Sequence, residues 1–211
     1  MNRQNVGATR NRLAAATLSV SFAAIGAAWW MQAAPEGHQV AGTATASSSP
    51  SSRRMPDGKE WMTTNLNVRV DSSYCYDDAE SNCAKYGRLY TWDSAQRVCR
   101  SLPGGWRLPT NDEWRQLAKQ FGGVRDDSND AGKAAFPALV TGGRSGLNVV
   151  FGGGRTPDGQ YTRLEAHGFY WTATESSANH GWLYNFGGAR FLNRHDDGEK
   201  SRAFSVRCIK D

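Results

Sequence analysis

The sequence predicts an α+β domain, two helices with small antiparallel sheets and long loops, and three observations lead there. Two segments carry apolar residues at helical spacing: Trp92, Ala95, Cys99 and Leu102 in one, Trp114, Leu117, Ala118 and Phe121 in the other. Beyond residue 123 that spacing disappears. Short aromatic and β-branched runs take its place, separated by glycine-rich turns. Helices in one part of a chain and short strands in another make an α+β arrangement.

The chain reaches that domain through two other segments. Arg3, Arg10 and Arg12 precede an uncharged, largely apolar run over 13–31, with Trp29 and Trp30 at its far edge. A basic stretch before such a run predicts an export signal or signal anchor over 1–34. The run is about long enough to span a bilayer, and the paired tryptophans suit the membrane interface if it is retained. Pro35 directly after Ala33-Ala34 is a poor cleavage context, which favours retention, and no cysteine follows that would mark a lipoprotein. Residues 35–54 are rich in Ser, Thr, Ala, Gly and Pro without apolar period, and predict a disordered tether. The domain is then expected over 55–211.

Charge narrows the partners. The formal net charge is +5, yet residues 1–54 hold five arginines against one acid, leaving 20 basic and 19 acidic groups in 55–211. A near-neutral domain gains little from counterion release, so nucleic acid is not an expected partner.

Within the domain, residues 57–70 carry strand-like stretches around Trp61 and Leu66. The first helix is expected from about Thr91 to Leu102, ended by Pro103-Gly104-Gly105. The next segment reads GGWRLPTNDEW, 104–114. Pro109 biases Leu108 toward extended backbone. Thr110 and Glu113 have the spacing of a capping box, in which hydroxyl and carboxylate each satisfy an orphan N–H of the first turn. This predicts a second helix over 111–121, stopped by Gly122-Gly123. Residues 124–146 read as irregular loop, and 147–164 as two extended arms around the turn Pro157-Asp158-Gly159. FYWTATES (169–176), WLYNF (182–186), ARFLNRH and SRAFSVRCIKD complete the strands, the last with Phe204, Val206 and Cys208 on one face.

Four cysteines, Cys75, Cys83, Cys99 and Cys208, in an exported chain suggest two disulfides, for which three pairings are possible. Cys75 and Cys83 share a polar loop, YCYDDAESNC, that a short bridge would pin, which would leave Cys99 for Cys208. No CxxC pair exists and no histidine has ligand spacing to a cysteine, so a metal is not expected there.

Four pieces of the chain carry a resemblance: DGKEWMTTNL at 57–66, KYGRLYTWDSA at 85–95, GGWRLPTNDEW at 104–114, and YWTATES with SVRCIKD at 170–176 and 205–211. Together they resemble the Fibrobacter succinogenes major paralogous domain family over nearly all of 56–211. The RLPTxxEW element is shared with the formylglycine-generating, sulfatase-modifying proteins. Both resemble the wider C-type lectin-like fold. That resemblance implies a sheet in which first and last strands pair, and a disulfide from a helix to the last strand, which would be Cys99–Cys208. It gives Trp106 and Arg107 a packing role at the bend between the helices.

The resemblance implies an exported, extracytoplasmic, surface-exposed binding module. Its ligand face would come from the late segments, SSANHGWLYNFGGARFLNRHD at 176–197. Asn179, His180, Trp182, Tyr184, Asn185, Arg190, Asn193 and His195 are the expected ligand-binding residues, rigid aromatics interleaved with adaptable amides. A glycan or a surface protein is the expected partner. Alternating aromatics also suit a sheet core, which sets Trp182 and Tyr184 as the residues to check. Similar tails carry the variable sites of retroelement-diversified receptors. Calcium-dependent sugar binding would need Glu-Pro-Asn or Gln-Pro-Asp with Trp-Asn-Asp, and none is present; Asp126-Asp127 and Asp196-Asp197 read as solvated loop charges, so no cofactor is expected. A formylglycine-generating-like enzyme would need a reactive cysteine pair near the C-terminus, where only Cys208 stands, so no catalytic residue is assigned.

Overall fold

The computed structural model describes residues 50–211. The expected signal segment lies outside them, and among the described residues no helix is long and apolar enough to cross a membrane. In chain order the elements are β1 (Ser52–Arg54), β2 (Glu60–Met62), β3 (Ser73–Tyr74), a 3-10 turn (Tyr76–Asp78), α1 (Glu80–Tyr86), β4 (Leu89–Tyr90), α2 (Trp92–Ser101), α3 (Asn111–Lys119) and α4 (Ala135–Leu139). There follow β5 (Gly154–Arg155), β6 (Tyr161–Thr162), β7 (Gly168–Glu175), β8 (His180–Phe186), β9 (Leu192–Glu199) and β10 (Ile209–Lys210). Mixed helices and small antiparallel sheets make this an α+β domain, as expected.

The sheets are ordered β1-β2-β10, β3-β4, β5-β6 and β7-β8-β9. β10 pairs antiparallel with β2, Ile209 opposite Trp61, so early and late strands close the fold. Both disulfides, Cys75–Cys83 and Cys99–Cys208, are formed, the second stapling α2 to the closing segment.

Three expectations are corrected. β1 pairs with β2 through Ser52, Arg53 and Arg54, which the composition had given to the tether. Backbone pairing needs no apolar side chains, so composition did not reveal it. The polar loop between Cys75 and Cys83 contains the start of α1, and the 124–146 loop contains α4. In 203–209 every residue is buried, Ser205 and Arg207 included, so the segment has no solvent face.

β7 and β8 divide the interior. Tyr170, Tyr184 and Phe186 join Trp61, Trp114 and Leu117 in one apolar cluster, while Trp171 and Leu183, one residue out of phase, join Trp92, Val98, Cys99 and Phe204 in another. Around Trp114 the aromatics are close, Trp61 edge-on at 4.8 Å and Tyr184 stacked at 5.3 Å between ring centroids. Glycine at 198 lets β9 approach this sheet closely, since a Cβ there would lie 2.7 Å from the Gly181 carbonyl oxygen. It would also lie 2.5 Å from Leu183 and 2.7 Å from Trp171.

The capping box at α3 forms as read, with the Glu113 N–H donating to the Thr110 hydroxyl and the Thr110 N–H to the Glu113 carboxylate. Arg107 grips that same carboxylate bidentately at 2.8 and 2.6 Å, which explains the arginine that local helix physics left over. Trp106 is buried, with Lys210 Nζ 4.8 Å from its ring centroid. Burial pushes the Glu113 carboxyl up, but Arg107 and the Thr110 N–H outweigh it and hold the group at about 2 against an ordinary 4.5. A depressed carboxylate contributes stability that is present above its unfolded value and lost as pH falls through its folded one. Unfolding free energy should therefore drop by roughly 2 to 3 kcal/mol between pH 4.5 and pH 2. Other carboxylates, such as Asp126 beside Arg194, are held low as well, so denaturant titrations across that window should show a loss larger in the native chain than in Glu113→Gln by this amount.

Candidate functional site

Register across the β7-β8-β9 sheet sets Phe169, Asn185 and Asn193 in one row and Trp171, Leu183 and His195 in the next. Both rows face the side of Trp171 and Leu183, where the apolar cluster buries those two and Phe169 packs against its edge, on Phe204 at 5.0 Å between ring centroids. Phe169, Asn185 and His195 are left half-buried around a cavity of about 400 Å³, which Arg163, His167, Asp197 and Arg202 also border, and Asn193 is half-buried beside His195.

Hydrogen bonding organises these side chains. The imidazole of His167 stacks on Phe169, centroids 5.4 Å apart and planes 11° from parallel. Arg163 can only donate, so its contact of 3.2 Å makes His167 Nε2 the acceptor and puts the proton on Nδ1. Nδ1–H then donates to Asn185 Oδ1 at 3.0 Å. On the neighbouring strand Asn193 Nδ2 donates to His195 Nε2 at 3.1 Å, which sends the His195 proton to Nδ1, 4.0 Å from Asp197. Both amides have their inner atom fixed. The Asn185 NH₂ and the Asn193 carbonyl have no side-chain partner among the described residues. The face thus offers an aromatic platform beside one amide donor, one amide acceptor, two guanidinium groups and a carboxylate.

The eight residues expected from sequence do not form one site. Asn185, Asn193 and His195 meet here. Tyr184 does not: it is fully buried, its hydroxyl donating to the Asn111 carbonyl at 3.0 Å, so it is core. Trp182 is half-buried on Tyr184's side of the strand, under the Arg194 guanidinium at 5.1 Å, which Asp126 holds in turn. Asn179 and His180 sit at the far end of β8, beside Glu199 and Lys200. Ser177 Oγ lies 3.0 Å from His180 Nδ1 there, in an exposed turn. Arg190 lies in the exposed β8–β9 turn with φ 57° and borders a different cavity.

The acidic pairs are also placed. Asp126 binds Arg194, and Asp127 binds Arg115 at 2.5 Å, so that pair is engaged; Asp196-Asp197 lies in strand β9 and not in a loop. The one cluster with metal-ligand spacing among the described residues is Cys75, Glu80 and Cys83, whose sulfurs are already bonded to each other. His167, Phe169, Arg163 and Arg202 were missed in the sequence. Counting back from the β7–β8 turn would have paired Phe169 with Asn185.

Fold and site define a disulfide-stapled α+β domain with a shallow, mixed aromatic and polar sheet face. Its two disulfides suit an oxidising, extracytoplasmic environment. Residues 23–210 match the Fibrobacter succinogenes major domain, and the chain belongs to that family. A search of curated proteins found no match.

Proposed function

We propose that this chain is an exported recognition module of C-type lectin-like architecture, whose β7-β8-β9 face binds carbohydrate. The carrying observation is the stacked His167–Phe169 platform with the oriented amides of Asn185 and Asn193 beside it. A sugar presents a C–H face that packs on an aromatic ring and hydroxyls that both donate and accept, and this face offers partners for each. Arg202 is shared with Glu199 at 3.9 Å, while Arg163 has no carboxylate partner among the described residues and favours a sugar bearing an acidic group. The β2–β10 pairing and the α2-to-closing-segment disulfide support the lectin-like reading of the fold. Cys208, bonded and fully buried, speaks against formylglycine-type chemistry. Retention of the N-terminal segment would place the domain at a membrane surface.

The test is a glycan array probed with the full chain, with and without chelator. Acidic glycans should bind with chelator present. Phe169→Ala and Asn193→Ala should each lose roughly 1 to 3 kcal/mol of affinity, the range of well-placed contacts. Asn193 is half-buried beside His195, so its variant should melt with the native chain. Undiminished binding by both variants would move the ligand elsewhere, and capture of surface proteins without glycans would replace the ligand class.

A further inference from the structure

Two cavities adjoin across Lys85, Tyr86, Thr141 and Val150, separate from the sheet face. The first, about 550 Å³, has an apolar wall of Phe136, Val140, Val149 and Phe151 with Arg190 and Glu165 at its border. The second, about 540 Å³, is polar and meets Arg207. Each has the size of a small-molecule site.

Arg207 is fully buried. Its guanidinium donates to Asn65 Oδ1 at 2.6 Å and to the carbonyls of Met62, Leu147 and Asn148 at 2.9, 2.7 and 2.7 Å. These oxygens are neutral, and among the described residues no carboxylate pairs with it. Carbonyl dipoles satisfy its N–H groups but leave a unit charge uncompensated in a poorly polarisable interior, where it favours a nearby anion. The polar cavity supplies none: Thr63, Thr64, Asn67 and Asn148 border it, and no acid does. Lys85 is paired with Glu165 at 2.8 Å, while Arg190 has no ion-pair partner among the described residues. The joined cavities therefore carry three basic groups against one acid, beside an apolar wall.

We propose that the joined cavities bind an amphipathic organic anion, a carboxylate whose apolar chain lies along Phe136, Val140 and Phe151 while its head enters the polar cavity near Arg207. The side chains of Thr63, Thr64 and Asn67 have no hydrogen-bond partner among the described residues and stand ready to meet carboxylate oxygens. Head and tail requirements are separate, so the ligand must satisfy both. Because the site shares no residue with the sheet face, its failure leaves the carbohydrate reading untouched.

Calorimetric titration of the full chain with octanoate, 1-octanol and acetate tests this. Octanoate should bind at least about tenfold more tightly than either half-ligand, a factor worth about 1.4 kcal/mol. Arg207 is too deeply built into the core for its replacement to be informative. Thr64 is exposed, so Thr64→Asp adds a carboxylate to the polar cavity without disturbing packing. That variant should weaken octanoate by about tenfold or more through like-charge repulsion and leave octanol unchanged. Equal affinity for octanol and octanoate, an undiminished Thr64→Asp variant, or no octanoate binding would each overturn the proposal.

Discussion

Replacing both cysteines of the Cys99–Cys208 bridge by serine should cost about 4 to 5 kcal/mol of folding free energy, the Cys75–Cys83 pair only about 2 to 3. The difference comes from loop length. One bridge spans 109 residues and the other 8, and the entropy a crosslink removes from the unfolded chain grows with the logarithm of that span. Domains of this size have only about 5 to 15 kcal/mol in hand. Loss of the long bridge therefore removes about a third or more of that stability and should move the unfolding midpoint to distinctly lower denaturant. Chemical denaturation of the two double variants under oxidising conditions decides the matter, and equal losses would contradict the loop-length argument.

Tyr184→Ala should cost about 3 to 5 kcal/mol, as large-to-small changes of buried aromatics do. Its ring stacks on Trp114, and its hydroxyl supplies a hydrogen bond to Asn111. Burial pushes the phenol well above its ordinary range, so it stays neutral at any pH the fold survives. Trp182→Ala, two residues away, should cost far less, about 1 kcal/mol or under, because it loses a half-exposed stack on Arg194 and leaves no cavity. Melting both variants checks the pair. Similar losses would mean that Trp182 is core as well.

Much of the fold was legible because its signals are local. The Thr110–Glu113 spacing gave α3 its start, the apolar spacing of Trp92, Ala95 and Cys99 gave α2, and Pro157-Asp158-Gly159 gave the turn between β5 and β6, with Gly159 at φ 95°. What was missed is held by contacts the sequence does not display. α1 buries only Cys83 and Tyr86, too few for an apolar stripe, and α4 spans five residues with Asp130 capping the turn before it. The site was read in part for a related reason. A strand buried on one face alternates cleanly, but β8 sends Tyr184 and Phe186 into one cluster and Leu183 into another. Hydrophobicity along WLYNF therefore could not say which side met solvent. The polar residues of the opposite row, Asn185 and Asn193, carried that information.

The pairing of β2 with β10 and the bond from α2 to Cys208 also impose an order of events in time. A polypeptide emerging from its N-terminal side makes β2, α2 and α3 long before it makes their partners in 203–210. Until those residues arrive, Trp61 lacks its strand neighbour Ile209 and Cys99 lacks its native partner Cys208. Contacts so distant in sequence form late and slowly. A chain of this topology therefore closes its core only once the final segment is present, however early its helices are made.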